Sequence, residues 1–147
     1  MNKRKPASVE EMQLRLNKYQ TLKDRIQNNL DEVERLRNCM VRVTVAYKDA
    51  PGWDRKQSDQ NVILTEIEKL SKHIKADTDN LSKAFYEAER LIGELDNVNE
   101  AQVLRYKYIY GYSWEEIEEK MKYSRATLWR FHRKALYHLV SKFETIC

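Results

Sequence analysis

Between Lys120 and Lys142 the sequence holds seven basic side chains and no acidic one: Lys120, Lys122, Arg125, Arg130, Arg133, Lys134 and Lys142. Charges at that density suit a polyanion. Lysine offers a point charge, whereas arginine offers a planar fork that matches a phosphate or the edge of guanine. On a helix of 3.6 residues per turn, Ala126, Trp129, Arg130, Arg133 and Tyr137 share one arc, with Arg125 at its edge. Leu128, Phe131, Ala135 and Leu139 share the opposite arc, which is the face expected to be buried. A basic arc by itself also describes an ordinary solvated helix. Trp129 tips the balance, because an outward tryptophan among arginines is costly to leave in water. It is expected to touch a thymine methyl, a sugar or another protein surface.

Catalytic chemistry finds little support. The histidines, His73, His132 and His138, include no pair three or four residues apart, as a helical metal site would need. His132 is expected beside the long helices or at a helix edge. Ser113 and Ser124 read as helix caps without a nearby base. Glu115, Glu116, Glu118 and Glu119 suit the start of a helix, where acids complement the dipole. The expectation is a protein that is not an enzyme and takes no metal or cofactor.

The elements that position the basic arc follow from periodicity. Apolar residues recur at Val9, Met12, Leu16, Tyr19, Leu22, Ile26, Leu30, Val33, Leu36, Met40 and Val43, the stripe of one long helix. Ser8 and Glu11 give that helix a capping box. A loop is expected at about 44–60, around Pro51-Gly52. A second stripe runs through Ile63, Ile67, Leu70, Ile74, Leu81, Phe85, Ala88, Ile92 and Leu95, widened by Ala84 and Leu91 and interrupted by Asp77. Two such helices predict an antiparallel, coiled-coil-like hairpin over residues 1–96, with Leu30 and Leu70 in its seam. Each stripe could equally pair with a second copy.

Residues 97–147 change character, being crowded with aromatics. Three short helices are expected: from about Asn99 to Tyr110, ended by a left-handed Gly111; from Ser113, capped through Glu116, to Met121; and from Ser124 to about Phe143. The last two, with only Lys122-Tyr123 between them, have the proportions of a helix-turn-helix. A left-handed Lys122 would cost about 1 kcal/mol, so a differently built turn is expected. The fold class is therefore all-α: a long hairpin followed by a small three-helix helix-turn-helix domain.

The segments Glu100-Ala-Gln-Val-Leu-Arg-Tyr-Lys-Tyr, Gly-Tyr-Ser-Trp-Glu-Glu-Ile and Tyr-Ser-Arg-Ala-Thr-Leu-Trp-Arg-Phe-His-Arg-Lys-Ala-Leu resemble the fourth conserved region of bacterial sigma factors. The chain with its hairpin and Tyr47-Lys-Asp-Ala-Pro-Gly loop is similar to phage regulators of the ArpU and RinA type. The resemblance implies a sequence-specific regulator that binds double-stranded DNA and activates phage late genes. It places base-reading roles on Arg125, Ala126, Trp129 and Arg130, and backbone contacts on Thr127 and Arg133. Lys134, Lys122 and Ser124 join them as backbone contacts from their positions around the helix start. Sigma regions carry an acid where Ala126 stands, an arginine where Trp129 stands and most often a glycine where Lys122 stands. The preferred sequence should therefore differ from a standard −35 element. Host RNA polymerase and a second copy of the chain are further candidate partners. Two other functions compete: a DNA-packaging recognition subunit and an adaptor docking on polymerase.

Composition agrees with this class. The chain has three glycines and two prolines, where an average chain of its length has about 17 or 18 in all. Sandwiches, barrels and doubly wound sheets need more turn residues than that, and phosphate-cradling glycine loops are missing. A net charge of +4 points weakly to a polyanionic partner. No apolar run long enough for a membrane span occurs, and the basic start Met-Asn-Lys-Arg-Lys-Pro is followed by no apolar stretch. A cytoplasmic location with Cys39 and Cys147 as free thiols is expected.

Overall fold

A computed structural model describes residues 8–47 and 53–146, and every regular element among them is helical. Helix α1 spans Val9–Tyr47, α2 Trp53–Gly93 and α3 Val98–Leu104. A π-helical turn follows at Arg105–Ile109, then α4 at Trp114–Met121 and α5 at Arg125–Ile146. Among the described residues no helix is long and apolar enough to cross a membrane. The expected loop at about 44–60 is helical at both of its ends: α1 continues to Tyr47 and α2 begins at Trp53. The charged residues after Trp53 were a misleading loop signal, since Arg, Lys and Gln are good helix formers. Pro51-Gly52 lies outside the described residues.

The chain divides into two compact units, Leu22–Asn80 and Met1–Thr21 with Leu81–Cys147. In the first, α1 and α2 run antiparallel: Gln60 Nε2 donates to Thr44 Oγ1 at 2.6 Å, and Arg25 meets Asp77 further back along both helices. Leu22 and Val33 are buried and most other stripe positions half-buried, Leu70 among them. Leu30 departs from expectation. At 45% exposure it lies beside the seam, not in it. Asp77, the interruption in the second stripe, is buried and accepts from Arg25 Nε and Nη2, both at 2.7 Å.

The second unit has one main core, drawn from the start of α1, the end of α2, α3, the π turn and α5. Met12 and Leu16 meet Ala88, Leu91 and Ile92, together with Leu104, Tyr108, Ile109, Ala135, Leu136, Leu139 and Val140. A smaller cluster of Val103, Ile117 and Leu128 lies within residues 97–147, sheltered by Tyr106, Tyr112, Trp114, Met121 and Phe131. Asn97 starts α3 by accepting from the amides of Asn99 and Glu100 on Oδ1. Buried Glu100 holds α5 through a 2.6 Å contact with His138 Nδ1. Lys142 is likewise structural: its ammonium donates to the Glu94 carbonyl and pairs with Asp96.

The π turn was not foreseen. Its carbonyls are capped by a distant side chain: Gln20 Nε2 donates to Ile109 O at 2.8 Å and Tyr108 O at 3.2 Å. Gly111 follows at φ 71°, the left-handed position expected for it. The positive φ favours glycine, and a Cβ there would come within 2.8 Å of Gln20 Oε1 and push the capping side chain aside.

Candidate nucleic-acid interface

Two serine caps start the two helices of the candidate surface. Ser113 Oγ accepts from Glu116 N at 3.2 Å and starts α4. Ser124 Oγ accepts from Thr127 N at 3.3 Å and starts α5. Between them Lys122 takes φ 61° and ψ 34°, its amide donating to the Glu118 carbonyl at 2.9 Å. The left-handed turn is therefore built with lysine after all. The amide bond it closes and the cap just behind it offset a strain of about 1 kcal/mol.

The arcs of α5 fall as periodicity predicts. Leu128, Ala135 and Leu139 are buried and Phe131 half-buried, while Ala126, Trp129, Arg130, Arg133 and Tyr137 are exposed. Arg125 and Lys134 are exposed as well, and so are Lys122 and Ser124; Thr127 is half-buried. The predicted contact residues thus share the first three turns of α5 and the turn before it. Lys142 falls outside this surface through its ties to Glu94 and Asp96.

The two leading arginines are held, each by a different neighbour. Arg125 Nε donates to Glu118 Oε1 at 2.8 Å, from the first residue of α5 back to the end of α4. Arg130 Nη2 donates to Thr127 Oγ1 at 3.3 Å, and that hydroxyl lies 3.0 Å from the capping Ser124 Oγ.

Trp129 is less naked than its position on the outer arc implied. It is 46% exposed, stacks on His132 with centroids 5.3 Å apart, and meets Trp114 edge-on. His132, expected beside the long helices or at an edge, is buried among Tyr108, Trp114 and Trp129. Burial, with Lys107 and Arg133 adding repulsion, pushes its pKa down to about 4, so the ring is neutral at ordinary pH. Its Nε2 lies 2.7 Å from the Tyr108 hydroxyl, and its Nδ1 is buried with no hydrogen-bond partner among the described residues. Lys107 Nζ sits 5.1 Å from the Trp114 ring centre, a cation over an aromatic face beside the same cluster.

In the sequence Glu118 is indistinguishable from Glu115, Glu116 and Glu119. It is the half-buried one, whereas Glu115, Glu116 and Glu119 are exposed. Helical periodicity gave no sign of its partner, because the left-handed turn between Glu118 and Arg125 breaks the phase. Among the described residues, no three His, Cys, Asp or Glu side chains are grouped as a metal ion would require.

Residues 40–140 match the family described as protein of unknown function (DUF1492). No curated protein and no solved structure matches the chain.

Proposed function

The chain belongs to the DUF1492 family, and we propose that it is a sequence-specific double-stranded DNA-binding regulator of transcription, of the kind phages use to activate late genes. In this reading α4 and α5 act as a helix-turn-helix, with α5 in the major groove. Arg125, Ala126, Trp129 and Arg130 face base edges. Thr127, Arg133, Lys134, Lys122 and Ser124 face phosphates, and the α5 N-terminus adds its own pull on an anion. The protein works by binding and carries out no reaction.

One observation supports this reading above the others: two exposed arginines on the first turns of α5 are each held by a neighbouring side chain. Base readout needs guanidinium groups presented at fixed positions, and here both held arginines stand at the start of one basic helix face.

The test is selection of bound duplexes in vitro, followed by fluorescence anisotropy on selected and scrambled sequences. Arg125→Ala and Arg130→Ala should each weaken cognate binding by about 1–3 kcal/mol and relax base preference. Lys134→Ala should weaken both duplexes alike, as loss of a phosphate contact does. Failure to select any sequence would give the lead to a polymerase-docking adaptor, and a large ring in solution to a packaging subunit.

A further inference from the structure

We infer that Glu118 is a specificity-determining positioning residue, which holds the Arg125 guanidinium for base contact and keeps it from settling on any nearby phosphate; this rests on the duplex-reading role proposed above. The geometry carries the argument. Glu118 Oε1 engages Arg125 through Nε, at 2.8 Å. A guanidinium has five N–H donors, and the Nε contact leaves the four on the two Nη atoms. Those are the donors that grip guanine O6 and N7 end-on. An arginine tethered at Nε therefore presents its reading end outward.

The tether is itself anchored. The carbonyl of Glu118 accepts the amide of left-handed Lys122, so the turn that launches α5 closes on the backbone of the residue that carries the carboxylate. Glu118 is half-buried, unlike the other three acids of α4. An untethered arginine at a helix start finds the phosphate backbone of any sequence. A carboxylate beside it resists that exchange, because moving Arg125 to a phosphate leaves Glu118 without its cation and close to DNA. The pair is half-exposed, so its contribution to stability is small. Its effect belongs to discrimination between duplexes.

The experiment is an anisotropy titration of the full chain on selected and scrambled duplexes. It compares wild type, Glu118→Ala, Glu118→Gln, Glu118→Asp, Arg125→Ala and the Glu118→Ala/Arg125→Ala double variant, with circular dichroism melts to verify folding. Glu118→Ala and Glu118→Gln should bind scrambled duplex about 3–10 times more tightly and lower the cognate-to-scrambled ratio by at least about fivefold. Glu118→Asp, which keeps the charge, should restore most of the ratio. In the Arg125→Ala background, Glu118→Ala should leave the ratio where Arg125→Ala put it. An equal rise on both duplexes would reduce Glu118 to simple repulsion and overturn the inference. A ratio that still falls in the Arg125→Ala background would overturn it too, since Glu118 would then act through another group. A wild-type chain with no sequence preference would instead defeat the duplex-reading role itself, and this inference with it.

Discussion

The Tyr108 hydroxyl lies 2.7 Å from His132 Nε2, and both side chains are almost wholly withdrawn from water. The contact ties the π turn to the third turn of α5, directly behind Trp129. Burial moves both groups the same way, toward neutrality: the tyrosine is pushed up to about 12 and the histidine down to about 4.

A pH dependence follows. Unfolded His132 takes a proton near its ordinary value of 6.5, whereas the folded ring resists until about 4. Its neutral burial is therefore fully tolerated above pH 6.5, and stability is lost progressively as the pH falls from there toward 4. The loss from this group reaches at most about 3 kcal/mol. His132→Gln keeps a polar partner for Tyr108 without a titrating ring, so the slope between pH 6.5 and 4.5 should flatten. Melting curves of the two proteins across that range decide it. Parallel curves would mean that the folded ring titrates as freely as in the unfolded chain.

The Arg25–Asp77 pair predicts a second loss of stability with falling pH, at lower pH and on the helix pair. Hydrogen bonds and charge from Arg25 hold the Asp77 carboxyl below its ordinary value of 3.8. That stabilisation is present above pH 3.8 and disappears as the pH falls through the lowered value. Asp77→Leu fills a gap in the stripe with an apolar side chain and should hold or raise the melting temperature at pH 7, since it leaves the half-exposed Arg25 solvated and strands no buried charge. Arg25→Ala should lower it by stranding the carboxylate. A melting temperature that drops with Asp77→Leu would show that the pair is needed where it stands.

These residues also show what the sequence could and could not reveal. The arcs of α5, both serine caps and the left-handed Gly111 followed from local rules, because periodicity, capping and positive φ act over a few residues. Asp77 was visible only as a fault in a stripe. Its partner lies 52 positions away, and no local rule selects Arg25 from the other cations of α1. The π turn was hidden for the same reason, its carbonyls being capped from Gln20, 88 and 89 positions distant. The expected loop at about 44–60 gives way to helix for another reason: polar residues do not by themselves break a helix. Trp129 looked bare because a helical wheel shows one helix only, and Trp114 comes from another.

Lys122 offers a test in which two roles of one residue separate. Its backbone is left-handed at φ 61°, a conformation that costs lysine about 1 kcal/mol more than glycine. Lys122→Gly should therefore raise stability by a few tenths to about 1 kcal/mol, the upper value being reduced by the extra freedom of glycine in the unfolded chain. If the exposed ammonium also neutralises a phosphate, the same variant should bind cognate and scrambled duplex more weakly by similar factors. The log-log slope of affinity against salt should then become shallower by about 1. Melting curves and a salt series on the one variant read both effects. A more stable protein with unchanged affinity and slope would leave Lys122 as a turn residue alone, and would move the edge of the proposed DNA-facing surface to Ser124.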